Sequence, residues 1–270
     1  MHARGLFIDE KEGRIAARGY EKFFHIGEEP GRSLDDWLDP EKTCYPVTLR
    51  KKYNGYLALV SSIGGELAVF SKSGVTDYSR FARGLLVEQI SEQGCKDLAG
   101  MLERTNTTAA FEVIAARDTH PITETGPDRL VLLDCIRNEV GFETDEKIAY
   151  GIASRFGIPV AKGVWVAANP NDLREGLKNA AARTDEGVVL VDNLGYRSKV
   201  KADGYAWRKS ARTALERVWR GKADSLVQRF AGLENQMILA GILQRIDEYA
   251  VTGVDGRARL DIARMFDDLG

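Results

Sequence analysis

Two adjacent lysines, Lys51 and Lys52, precede Tyr53-Asn54-Gly55 and form a Lys-x-x-Gly element at the entry to an apolar strand. A lysine amine is nucleophilic only when unprotonated, and a free pKa of about 10.4 leaves it almost wholly charged at neutral pH. Desolvation or neighbouring cations must therefore favour the neutral amine. Lys199 and Lys201 can supply that charge, because strand alternation sends residues two apart to one face and into one pocket. Such cations also neutralise charge that develops on phosphates in a transition state. Glu112 and Glu186 begin the apolar runs Glu112-Val113-Ile114 and Glu186-Gly187-Val188-Val189, where a rigid sheet can aim a carboxylate at hydroxyls or at a hard dication. Gly55 and Gly187 have no side chain, so backbone can approach a ligand closely. By itself a Lys-x-x-Gly pattern arises by chance about once in a chain this long, and an exposed basic pair on an edge strand is its bland alternative. Its ordered companions, which also include Ser71-Lys72-Ser73-Gly74 and the strand Leu130 to Ile136 followed by Arg137, are far more specific.

These residues need strands to hold them, and the first half of the chain supplies them. Residues 5–9 and 14–18 predict one hairpin. Residues 56–60 and 66–70 predict a second, whose Gly64-Gly65 provides the positive φ angles of a tight turn. Apolar spacing predicts a helix over residues 81–104, weakened at Gly94, then strands over 109–115 and 130–136. Thr144-Asp145-Glu146 opens a helix that Gly157-Ile158-Pro159 ends. Strands at 163–167, 187–192 and 197–201 follow, with a helix over 171–183 between the first two. Beyond Tyr205, apolar residues recur every three or four positions, among them Trp207, Leu215, Trp219, Leu226, Phe230, Leu233, Met237, Leu239 and Ile242, which predicts packed helices. The division falls near Gly204, giving residues 1–204 as a catalytic domain and 205–270 as a helical one.

With 270 residues, 44% of them hydrophobic and 29% charged, the chain can bury a core without disulfides and is not disordered throughout. A formal net charge of -2 excludes a uniformly basic coat but leaves room for a local patch such as Arg208, Lys209, Arg212, Arg217, Arg220 and Lys222. A solvated helix face is the plainer account of that patch. Three scattered cysteines (Cys44, Cys95, Cys135) and three scattered histidines (His2, His25, His120) suggest neither a disulfide framework nor a zinc cage. No apolar run has the roughly 20 residues of a membrane helix. A cytoplasmic protein without a membrane partner is the expectation.

Taken in order, the lysine and carboxylate elements resemble the motifs of the covalent nucleotidyltransferases: RNA ligases, DNA ligases and mRNA capping enzymes. Upstream, Ala3-Arg4-Gly5-Leu6-Phe7 and Arg18-Gly19-Tyr20-Glu21-Lys22-Phe23-Phe24 are similar to signatures shared by phage-type RNA ligases and the ligase domain of fungal tRNA ligases. The resemblance covers residues 1 to about 201. It departs at Lys72, since some phage enzymes place that lysine one residue later, where this chain has Ser73.

The resemblance implies an α+β fold: an antiparallel-sheet nucleotidyltransferase (ATP-grasp-like ligase) domain followed by a small all-helical C-terminal domain. It implies an ATP-dependent RNA ligase in which Lys52 takes AMP from ATP as a phosphoramidate and passes it to an RNA 5′-phosphate, after which a 3′-hydroxyl displaces it. Lys52, Lys199 and Lys201 would be catalytic. Arg4, Lys22, Phe24, Gly55, Lys72, Glu112, Glu186, Gly187, Lys199 and Lys201 would bind the nucleotide, and Glu112 and Glu186 the metal, Mg2+ or Mn2+. The partners would be RNA with broken or nicked ends, tRNA included, with separate enzymes healing the ends. A capping-type or protein-modifying nucleotidyltransferase, and an RNA-binding relative without catalysis, are the alternatives.

Overall fold

Short alternating runs joined by glycine turns build two sheets, and the chain passes between them at the lysine element. The computed structural model describes residues 3–122, 124–221, 240–241 and 243–268. Strands β1 (Leu6–Asp9) and β2 (Arg14–Arg18) form an antiparallel hairpin. β3 (Phe24–His25) precedes the short helix α1 (Leu34–Leu38), where Ser33 and Asp36 form a capping box. β4 (Val47–Lys51) leads to the hairpin of β5 (Tyr56–Ile63) and β6 (Glu66–Ser71). Its turn residues Gly64 and Gly65 have φ of +60° and +80°, the left-handed pair a two-residue loop requires.

Helix α2 (Asp77–Thr105) is followed by β7 (Thr107–Ile114), β8 (Arg129–Arg137), α3 (Glu146–Phe156) and β9 (Gly163–Ala167). Then come α4 (Pro170–Ala181), β10 (Gly187–Val191), β11 (Arg197–Lys201) and α5 (Asp203–Trp219). A 3-10 turn (Ile246–Tyr249), β12 (Ala250–Thr252), β13 (Ala258–Leu260) and α6 (Ile262–Asp267) end the described chain.

One sheet runs β6-β5-β7-β8 and is antiparallel throughout. The other runs β3-β11-β10-β4-β9 and is antiparallel except where β3 lies parallel to β11. This is the expected α+β, antiparallel-sheet architecture. Helices α2 and α3 cover the four-stranded sheet, burying Leu86, Leu98 and Ile152 against Phe111, Leu130 and Leu132. Helices α1 and α4 cover the five-stranded sheet, burying Trp37 and Leu173 against Leu49 and Leu190. Strand β4 belongs to one sheet and β5 to the other, so residues 52–55 are the crossover.

A buried carboxylate fixes how the sheets meet. Asp134 on β8 accepts from the Tyr20 hydroxyl (2.6 Å), from Arg50 on β4 (3.0 Å) and from Arg197 on β11 (3.4 Å). One acidic side chain on the four-stranded sheet thus bonds to two strands of the five-stranded one.

Two expectations are corrected. The long helix breaks at Ser91 (φ +67°) rather than at Gly94; the Ser91 hydroxyl accepts from the Gly94 N–H at 3.2 Å and so caps the second segment. The C-terminal part is not all-helical, because β12 and β13 pair across Gly253 to Arg257, with Gly256 at φ +73°. Val254-Asp255-Gly256 between short apolar alternations is the turn signal for it. This part has its own core, in which Leu215, Tyr249, Leu260, Met265 and Phe266 are buried together. Lys222, Leu226, Phe230, Leu233, Met237, Leu239 and Ile242 lie outside the described residues.

Removing a partner from a buried charge cluster typically costs about 3–5 kcal/mol. Asp134→Ala is expected to lose stability of that order in urea unfolding, because two guanidinium groups and the Tyr20 hydroxyl lose a shared buried acceptor. A loss under about 1 kcal/mol contradicts the clamp.

Candidate active site

Lys52 stands where the chain leaves one sheet for the other. Its backbone N–H donates to the Gly187 carbonyl at 2.9 Å, one step past the β4–β10 ladder. Its amine lies 2.6 Å from Glu186 Oε2. Lys51 is held differently: its amine is 2.9 Å from Glu124 and 4.8 Å from the centre of the Tyr53 ring. The two lysines that the sequence leaves side by side therefore have distinct partners, and Lys52 has the motif carboxylate.

Around this crossover a cleft of about 520 Å3 is lined by Arg4, Lys52, Gly55, Lys72, Glu112 and Lys199, together with Tyr20, Phe23 and Tyr53. Arg4 is placed by its N–H, which donates to the Tyr20 carbonyl at 2.6 Å beside the β1–β2 hairpin. Lys72 and Ser73, the two alternatives for the displaced lysine, both line the cleft just after β6. Glu112 on β7 accepts from the Gly55 N–H at 3.0 Å. Burial, reinforced by the nearby Glu186 carboxylate, pushes its carboxyl up to about 8 against the pull of Lys52.

On β11, Lys199 and Lys201 oppose Val189 and Gly187 of β10 and share one face, as alternation predicts. Burial, then the neighbouring Arg4, lowers the Lys199 amine. Burial, then Lys209, lowers Lys201 to about 8. Lys199 lines the crossover cleft, whereas Lys201 opens into an adjoining one that Lys199 shares.

Glu186 joins the crossover cleft through its ion pair with Lys52. Lys22 and Phe24 are beside each other, the amine 4.3 Å from the ring centre, but neither lines that cleft. At both predicted glycines the close approach is made by protein: a Cβ on Gly55 would sit 2.1 Å from the Val113 carbonyl, and one on Gly187 2.2 Å from that of Val200. His120 pairs with Asp118 at 2.6 Å, and Cys135 is buried in β8, as expected of a core residue.

Two neighbours escaped sequence reading. Glu124 accepts from Lys51 and also from the Asn54 N–H at 3.3 Å, clamping the crossover loop. Tyr205, in the first turn of α5, donates to Asn54 Oδ1 at 3.1 Å. Burial, then the adjacent Glu186, raises its hydroxyl's pKa. Nothing in the local pattern marks a tyrosine at the head of a helix as belonging to a site made by strands.

The donor set fits a hard dication. Glu112 has one oxygen engaged by Gly55 and no further hydrogen bond among the described residues, in a place where negative charge is disfavoured. Among those residues no group of three or more His, Cys, Asp or Glu could hold a metal ion. An ion here would complete its shell with phosphate oxygens and water, the habit of magnesium.

The sequence model of the RNA ligase family matches residues 2–205. An archaeal ATP-dependent RNA ligase is similar in structure, with 17% identity and a TM-score of 0.58 over 98% of this chain and 85% of that one. An Aquifex aeolicus protein described as an ATP-dependent DNA ligase shares 17% identity and a TM-score of 0.55, over 88% of this chain and 70% of that one. A variant Naegleria gruberi RNA ligase with ATP and Mn shares 11% identity and a TM-score of 0.50, over 63% of this chain and 53% of that one. At these identities the likeness is one of fold.

A carboxyl raised from 4.5 to about 8 keeps a proton in the folded chain that the unfolded chain has released, so stability falls as pH rises between those values. Glu112→Gln removes this penalty. The melting temperature of the variant should gain on that of the wild type between pH 5 and pH 8; a constant difference across this window contradicts the assignment.

Proposed function

The chain belongs to the RNA ligase family, and from that premise we propose that it seals RNA through an adenylate carried on Lys52. The carrying observation is the position of Lys52 on the crossover, 2.6 Å from Glu186 and in one cleft with Lys72, Glu112 and Lys199. ATP occupies that cleft. The Lys52 amine, freed of a proton, attacks the α-phosphorus; a P–N bond forms, and pyrophosphate leaves with the electrons of the broken P–O bond. An RNA 5′-phosphate oxygen then attacks the adenylate phosphorus, the P–N bond breaks, and the amine regains its proton. Finally a 3′-hydroxyl loses its proton, attacks the RNA phosphate and releases AMP.

Lys199 and Lys201 place positive charge beside the transferred phosphate, where it is worth most. Arg4 and Lys72 line the same path, while Lys22 and Phe24 act from outside the cleft wall. Glu112 and Glu186 hold ribose hydroxyls or a divalent ion, Mg2+ or Mn2+, which would supply charge neutralisation on the triphosphate. Glu186 also orients Lys52, and Tyr205 and Asn54 hold that end of the site.

Residues 1–204 form the adenylyltransferase domain and 205–270 an appended one that selects the RNA. The substrate is RNA with broken or nicked ends, tRNA among them, prepared by separate healing enzymes. No helix among the described residues is long and apolar enough to cross a membrane. Three unpaired cysteines accord with a reducing cytoplasm.

Incubation with magnesium and ATP labelled at the α-phosphate should leave label on the denatured protein. Lys52→Ala should abolish it and Lys51→Ala retain it; the reverse pattern makes Lys51 the nucleophile. Unlabelled ATP should compete and GTP should not, which separates the capping-type reading. Absence of any label from the wild type favours the binding-only relative. Tyr205→Phe deletes one buried hydrogen bond and should slow adenylate formation about tenfold. Its pH profile should shift while its melting temperature changes little, which a purely structural role does not produce.

A further inference from the structure

Beside the crossover cleft is a larger one of about 750 Å3, and Lys199 lines both. One wall is cationic. β11 contributes Lys199 and Lys201, and α5 contributes Lys209, with the exposed hydroxyls of Ser210 and Thr213 nearby. Apolar lining comes from Ile26, Leu34 and Leu177, and His25 completes that side. No carboxylate lines the cleft among the described residues; Glu28 and Glu186 act on its lysines from outside it.

Other cations of α5 have structural work. Arg208 binds Asp267 at 3.1 Å and the Pro121 carbonyl, and Arg212 binds Glu216 at 3.0 Å and the Thr119 carbonyl at 2.9 Å. Lys209 instead turns to the cleft, close enough to Lys201 that its charge disfavours the Lys201 ammonium. Three amines gathered this way gain most from a polyanion.

Building on the ligase reading, we propose that this second cleft holds the first nucleotides of a single-stranded, 5′-phosphorylated RNA, with Lys209 on a backbone phosphate. A phosphate run along one wall and bases against an apolar wall is the pattern single strands require. The volume is larger than that of the nucleotide cleft and far exceeds what a pyrophosphate fills. Lys199, at the junction, puts the terminal phosphate of such a strand next to the adenylate on Lys52.

The test uses the full chain and a 12-nucleotide RNA with a 5′-phosphate and a blocked 3′ end. Two variants, Lys209→Ala and Thr213→Glu, alter the cationic wall, and Thr213→Glu should form lysyl-AMP within about twofold of wild type. Both should bind this RNA about tenfold more weakly in fluorescence anisotropy and transfer AMP to it correspondingly more slowly. Lys209→Ala should also reduce the slope of log affinity against log salt by about 0.7, the loss of one single-strand phosphate contact. Lys96→Ala, which removes an exposed lysine from α2, should change none of these. Unchanged RNA affinity in both cleft variants overturns the proposal. So does slower lysyl-AMP formation with weakened pyrophosphate inhibition and intact RNA binding, which assigns the cleft to the leaving group. A wild type that forms no lysyl-AMP defeats the ligase reading alone, since the anisotropy arm still reports on this cleft.

Discussion

The Asp134 carboxylate is the interaction on which the remaining architecture depends. It is buried in an apolar strand and accepts from Tyr20, Arg50 and Arg197, groups whose own burial needs an acceptor. Two sheets of different size are thereby held at a defined spacing, and the crossover cleft opens where that spacing leaves room. Without such a pin, apolar faces alone would let the sheets slide together, since hydrophobic burial has no direction.

Around the two adjoining clefts the charges are arranged at some expense to the resting protein. Glu112 is crowded by Glu186, Lys199 by Arg4, and Lys201 by Lys209. A triphosphate with its dication would offer each carboxylate a cation and each lysine an anion. Charges set in advance of the ligand need no reorganisation during the reaction, which is what makes a preformed polar site effective. Lys52 and Lys51 differ in their partners: Lys51 pairs with Glu124, and Lys52 with Glu186.

Much of the frame was legible because local signals were strong. Gly64-Gly65 located a hairpin, Asp145 and Gly157 bounded α3, and two-residue alternation put Lys199 and Lys201 on one face. What stayed hidden was long-range or brief. Helix α1 spans five residues, too few for periodicity to register, and β4 ends at Lys51, so its strand character is overshadowed by the lysine element. Asp134 reads as a lone acid within Leu130 to Ile136, and only the fold brings it to two arginines. Gly55 and Gly187 suggest close approach of backbone to a ligand, whereas the space a Cβ would fill at each is held by the chain's own backbone. The C-terminal hairpin was masked by the helical spacing of the residues around it.

Tyr205 ties the C-terminal part to the Lys52 crossover, because its hydroxyl donates to Asn54. It is the last residue of the stretch matched by the RNA ligase family, yet it heads α5, whose other buried residues Ala211, Ala214 and Leu215 belong to the C-terminal core. Exchange of tails between relatives, whether by recombination or by an engineer seeking a new RNA specificity, would therefore not be a neutral graft. A junction placed at this boundary would reset the angle at which one phenol meets Asn54 beside the crossover, so a changed tail and a changed cleft should travel together.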